Sequence, residues 1–130
     1  SMEPGERARR SSHSFACYVL AGPDEVWHAL TNACRTSAYL FGLVLRSTWA
    51  VDAAISAAHE RAPGLTGHVV CSRRGERLSY MLQSCSTDPP TYLTWLIRAS
   101  ASGTTINLAI DEPETPDTVE EAEETWLPVL

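Results

Sequence analysis

Three stretches of the chain alternate apolar and polar residues with a period of two. RLSYMLQS places Leu78, Tyr80 and Leu82 on one side. TYLTWLIRA does so with Leu93, Trp95 and Ile97, and TTINLAID with Ile106, Leu108 and Ile110. Successive side chains of a strand point to opposite faces, so each stretch predicts a half-buried strand of an antiparallel sheet. SRRGE, STDPP and SASGT separate them with glycine, proline and small polar residues, the chemistry of tight turns. This part of the chain therefore reads as a meander. A weaker alternation from Phe15 to Ala21 predicts an earlier strand.

Two segments carry helical spacing instead. In GPDEVWHALTN, Pro23 suits a first helical position, Asp24 and Glu25 favour the positive end of the helix dipole, and Val26, Ala29 and Leu30 share a face. A shorter helical piece is expected from Arg35 to Leu40, ending near Gly42. TPDTVEEAEETWLPVL predicts a long C-terminal helix, with Val119, Ala122 and Trp126 on one face and glutamates on the other. Strands in a run with helices towards the ends give an α+β class, helices packed on one face of the sheet.

The stretch from Ser47 to Gly64 resists this reading. Five alanines between Ala50 and Ala58 favour a helix by propensity, yet no apolar helical stripe accompanies them. Keeping the meander in sequence requires strands here: LRSTWAV, then AISAAHER, then GHVVCS after a break at Pro63-Gly64. Tertiary pairing overrides local propensity in such a case.

Composition narrows the class. The chain has 130 residues, 44% hydrophobic and 20% charged, as for one soluble globular domain. Residues 1–13 read as a flexible polar arm and 14–130 as the domain. The net charge of −6 is local: residues 1–110 hold eight acids and ten arginines, while 111–130 hold eight acids and no base. No basic stripe beyond the arm suggests nucleic acid, and no apolar run is long enough for a membrane span. Cys17, Cys34, Cys71 and Cys85 lack zinc-knuckle spacing and fit reduced thiols of a cytoplasmic protein. Neither a metal nor a cofactor is expected. There is no serine-hydrolase elbow and no glycine-rich phosphate loop.

AGPDEVWHALTN, AYLFGLVLRSTWAVDAAI, LTGHVVCSRRGERLSYML, SGTTINLAIDEP and TWLPVL together resemble the bacterial activator-of-heat-shock-protein-90-ATPase-like family. That family belongs to the START-like, SRPBCC or polyketide-cyclase superfamily. The resemblance runs from about Ser14 to the end. Two departures concern turns: Asp52 stands where family members usually carry a glycine soon after the tryptophan equivalent to Trp49, and CSRRGERLSY replaces a proline-containing turn. The resemblance implies a helix-grip fold, of the birch-pollen-allergen type, in which a curved antiparallel sheet wraps a long C-terminal helix around a cavity.

Within that frame Trp49, Tyr80, Trp95 and Trp126 are expected to face inward as walls of an apolar site, where aromatic rings can stack on a flat ligand. Ala53 and Ala57 either border that pocket or let the C-terminal helix approach closely. His59 shares strand parity with Ile55 and Ala57, and it would do acid–base work if it paired with His68 on the next strand; a satisfied histidine is the plainer reading. Arg98 should face solvent. The leading expectation is binding of a small hydrophobic or aromatic molecule without catalysis. A polyketide cyclase or dehydratase, and a co-chaperone of a heat-shock ATPase, are the alternatives. A homodimer is compatible with each.

Overall fold

The computed structural model describes residues 10–33, 35–36, 40 and 42–113. In chain order the elements are β1 (Arg10–Val19), α1 (Pro23–Thr31), β2 (Val44–Arg46), β3 (Ala54–His59), β4 (Ala62–Arg73), β5 (Arg77–Gln83), β6 (Thr91–Ala99) and β7 (Thr104–Pro113). All the strands join one seven-stranded antiparallel sheet in the order β1-β7-β6-β5-β4-β3-β2. The meander from β2 to β7 is thus closed on one side by β1, which pairs with β7 from Arg10↔Pro113 to Val19↔Thr104.

Because β1 and β2 occupy opposite edges, the chain between them must cross the sheet. It carries α1 over the inner face, where Val26, Trp27 and Leu30 are buried and the helix packs on β6. Pro23 opens the helix as expected, with Asp24 and Glu25 in its first turn and His28 in its last. Beyond it, Thr36 N–H donates to the Asn32 carbonyl at 3.0 Å and Leu40 N–H to the Thr36 carbonyl at 2.9 Å, so helical hydrogen bonding recurs where a short second piece was expected.

The predicted alternation holds in β6 and β7, whereas β5, expected to be half-buried, is covered on both faces from Leu78 to Leu82, Ser79 and Met81 included. Leu78, Tyr80 and Leu82, with Leu93, Trp95 and Ile97 and with Leu108 and Ile110, form the buried inner face. The alanine-rich stretch is extended: β3 buries Ile55 and Ala57 and exposes Ala54, Ser56 and Ala58. Pairing on both sides, with β2 and with β4, supplies the backbone partners a helix would have supplied itself.

Three boundaries differ from expectation. The first strand reaches back to Arg10, so residues 10–13 are paired with β7 instead of lying in a free arm. The strand expected across LRSTWAV stops at Arg46, because Trp49 and Asp52 adopt positive φ and fold the chain into a turn. That turn is closed by Ala53 N–H donating to the Ala50 carbonyl at 3.0 Å, and tied to β4 by Asp52 N–H donating to the Val69 carbonyl at 2.9 Å. Finally, the break expected at Pro63-Gly64 lies inside β4; the reversal occurs at Glu60 and Arg61, one turn earlier. The expected C-terminal helix, with Trp126, lies outside the described residues.

Candidate functional site

Among the described residues, two half-open hollows lie on the inner face of the sheet. One, of about 270 Å³, lies between α1 and strands β1, β6 and β7. Its walls are Cys17, Val19 and Ala21 from the β1 end, Val26, Ala29 and Leu30 from α1, and Trp95 and Ile106 from the meander, with Glu25 and Arg35 the charged residues. The other, of about 260 Å³, sits towards the opposite end, walled by Leu43, Leu65, Leu82 and Leu93 with Thr91, Asp88 and Glu112.

Trp95 joins the first cavity to a buried aromatic cluster. Its Nε1–H donates to the Tyr80 hydroxyl at 3.1 Å, and Tyr80 meets Trp49 edge to face with ring centroids 5.6 Å apart. The Trp95–Tyr80 contact follows from register: Leu78 pairs with Trp95, and Tyr80 with Leu93, so the inward residues of β5 and β6 stand side by side, while Trp49 reaches Tyr80 from the turn between β2 and β3. Burial pushes the Tyr80 hydroxyl pKa well above the ordinary tyrosine value, with the Trp95 bond opposing it weakly. Tyr80 is therefore neutral and acts as an anchor for the indole of Trp95.

The remaining expected site residues are dispersed. Ala57 is buried and Ala53 half-buried against the core, but neither belongs to the described walls of either inner cavity. The space that Ala57 leaves is bounded by its cross-strand partners Leu45 and Leu65, which share its face. His59 lies beside Gly42 near the β2 edge, in a separate open hollow with Val44, Glu60 and Arg61. Its Nδ1 accepts from the Arg61 N–H at 2.9 Å, which places the proton of the neutral ring on Nε2. His59 and His68 do not pair: His59 stands opposite Ala62, and His68 opposite Ala54 and Met81. The reversal at Glu60 and Arg61 follows His59 at once, so His68 lies well along β4 from it. Arg98 is exposed, as parity requires.

An acid–base pair was absent from the expectations. His13 and Glu112 meet on the inner face with Nε2 and Oε1 3.5 Å apart, each side chain 11% exposed. The sequence reads His13 into the polar arm and Glu112 into the acid-rich segment after Ile110. Extending the β7 alternation from Ile106 through Leu108 and Ile110 by one step turns Glu112 inward, and Ser11↔Glu112 register brings His13 onto the same face. Glu112 also lines the second cavity.

No family model and no curated protein matches the sequence. Solved structures do. Protein MLL2253 from Mesorhizobium loti is 18% identical, covers 92% of this chain and 90% of its own, and superposes with a TM-score of 0.75. The chain shares that fold. The Aha1 dimer from Colwellia psychrerythraea gives a TM-score of 0.75 at 13% identity, covering 92% of this chain and 90% of that one. CalU16 from Micromonospora echinospora gives 0.69 at 17% identity, covering 91% of this chain and 72% of that one. A curved antiparallel sheet with a helix over its inner face is thus common to all, as the helix-grip resemblance implies. Among the described residues, no helix is long and apolar enough to cross a membrane.

Proposed function

We propose that this chain is a cytoplasmic protein that binds a small hydrophobic or aromatic molecule on the inner face of its sheet. The observation that supports this reading is the cavity between α1 and β1, β6 and β7: mostly apolar, bordered by an indole whose orientation is fixed by Tyr80. In this reading Trp95, 1% exposed, closes the floor of the cavity, Tyr80 holds it, and Trp49 braces Tyr80. Ala53, Ala57, His59 and Trp126 are secondary candidates. Titration with the uncharged probe N-phenyl-1-naphthylamine, read by tryptophan quenching and probe enhancement, should saturate at one site. Trp95→Ala should weaken binding at least tenfold. Unchanged affinity in that variant, or no saturable binding by uncharged aromatic probes, sinks the reading.

A second reading has its own support. The His13–Glu112 pair beside an apolar cavity is the polar pair that a cyclase or dehydratase type of enzyme needs for proton transfer. It would require turnover of a reactive polyketide-type chain that is lost in Glu112→Gln while the probe still binds. Homodimerisation accompanies either reading by analogy with the Colwellia dimer; sedimentation at micromolar concentration tests it.

A further inference from the structure

The outer face of the sheet gathers arginines that are scattered in sequence. Arg73 stands opposite Arg77, Arg77 opposite Leu96, and Leu96 opposite Asn107, so these four side chains form one row across β4 to β7. Arg98, two residues along β6 from Leu96, falls on the same face. Arg73, Arg77, Leu96, Arg98 and Asn107 line a shallow groove of about 250 Å³ together with Glu76.

The three guanidiniums lack partners among the described residues. No carboxylate of the described residues lies within salt-bridge range of Arg73, Arg77 or Arg98; Asp24 engages the neighbouring Arg74 instead, at 3.9 Å. Like charges directly opposite on antiparallel strands are unfavourable, so the Arg73–Arg77 pair costs stability unless something neutralises it. That arrangement stands out in a chain of net charge −6.

We propose that this groove binds the phosphate group of a small phosphorylated organic molecule. Guanidinium forks match phosphate oxygens in planar, paired hydrogen bonds. One fork satisfies the two oxygens of a carboxylate, whereas three arginines around one groove suit the three terminal oxygens of a phosphate monoester. The Asn107 amide adds a donor, and Leu96, 42% exposed between the arginines, offers an apolar surface to the organic part. A single-stranded nucleic acid would want aromatic platforms for its bases, and none of the described groove residues is aromatic. The inference is independent of what the inner cavities hold.

The test is titration of ¹⁵N-labelled protein with phenyl phosphate, with inorganic phosphate and a single-stranded oligonucleotide as comparisons. Phenyl phosphate should shift the amide signals of Arg73, Arg77, Leu96 and Arg98 and the Nε–H signals of the three arginines. It should bind several-fold more tightly than inorganic phosphate, and Leu96→Ala should erase that difference. Arg77→Gln and Arg98→Gln, both at exposed positions, should each weaken phenyl phosphate at least tenfold while leaving the thermal midpoint in place. Unmoved groove signals, unchanged affinity in both arginine variants, or preferential binding of the oligonucleotide would overturn the proposal.

Discussion

Trp49 and Asp52 occupy the left-handed region, at φ 63° and 68°, which L-residues with bulky side chains avoid. For Trp49 the strain, of about 1–3 kcal/mol, is opposed by the burial of its ring, by the edge-to-face contact with Tyr80 and by its N–H donating to Ser47 Oγ at 3.0 Å. Asp52 has no comparable packing, being exposed, and it tolerates the conformation because its side chain is short and polar. The glycine that the family resemblance leads one to expect near this position is thereby explained in physical terms: the turn needs positive φ, and aspartate is the substitute. Asp52→Gly should leave stability equal or raise it by about 0.5 kcal/mol, whereas Asp52→Val should lower it by about 1–2 kcal/mol; urea denaturation measures both. Tyr80 gives a second expectation. An ordinary tyrosine ionises near pH 10, and the buried one holds its proton to higher pH. Above about pH 10 the unfolded chain therefore binds fewer protons than the folded one, so stability falls as pH rises, by up to about 1.4 kcal/mol per unit. Tyr80→Phe should abolish that share of the slope. At neutral pH it should cost about 1–3 kcal/mol, by leaving the Trp95 Nε1–H without its acceptor in a buried site. Urea midpoints of the two proteins at pH 8 and about pH 11 decide the matter.

At the scale of elements, period-two alternation carried most of what could be read in advance. β6 and β7 follow it because each has one dry face, β5 follows it in residue type although Ser79 and Met81 on its other face are also buried, and α1 follows its Pro23 start and apolar spacing. What escaped was set by partners distant in sequence. No local signal marks Trp49 as the residue that ends β2, and Pro63 suggested a break although β4 continues through it. The His13–Glu112 pair escaped because charged residues near a chain end read as solvated, while the register of β1 on β7 turns both inward. The outer-face arginines escaped for the same reason: Arg73 and Arg77 are close in sequence, but only the β5–β6 pairing sets Leu96 and Arg98 beside them. Gly67 illustrates how tightly this register is fixed. A Cβ built there would lie 1.6 Å from the Met81 carbonyl oxygen, so the two backbones of β4 and β5 approach as closely as they do only because the residue is glycine. Gly67→Ala should destabilise by about 3 kcal/mol, the upper end for overpacking because the clash is with backbone, visible as a large drop in thermal midpoint. Gly22→Ala, where a Cβ meets nothing within 4 Å but the residue caps α1, should cost only about 0.5–1 kcal/mol.

For the molecule as a whole, the arrangement trades packing for space. Half-open hollows of about 270 and 260 Å³ indent the inner face where further side chains could have packed. The sheet itself could be stable without them, since its seven strands pair continuously from edge to edge. If the first hollow exists to hold a guest, filling it from within should strengthen the fold and weaken the function together. Ala29, half-buried on α1 and part of the cavity wall, is the place to do so. Ala29→Leu keeps helix propensity and adds three carbons to the hollow. It should raise stability by about 0.5–2 kcal/mol, read from the urea midpoint, and reduce affinity for N-phenyl-1-naphthylamine at least tenfold. A saturating ligand stabilises the native state by about 2.7 kcal/mol at one hundred times its dissociation constant, so the native protein should show a ligand-dependent rise in thermal midpoint that Ala29→Leu largely loses. Higher stability with unchanged affinity would move the guest out of the α1 cavity and towards the hollow beside Glu112. Lower stability with unchanged affinity would mean that this region is already filled, and that the space between α1 and the sheet serves no ligand.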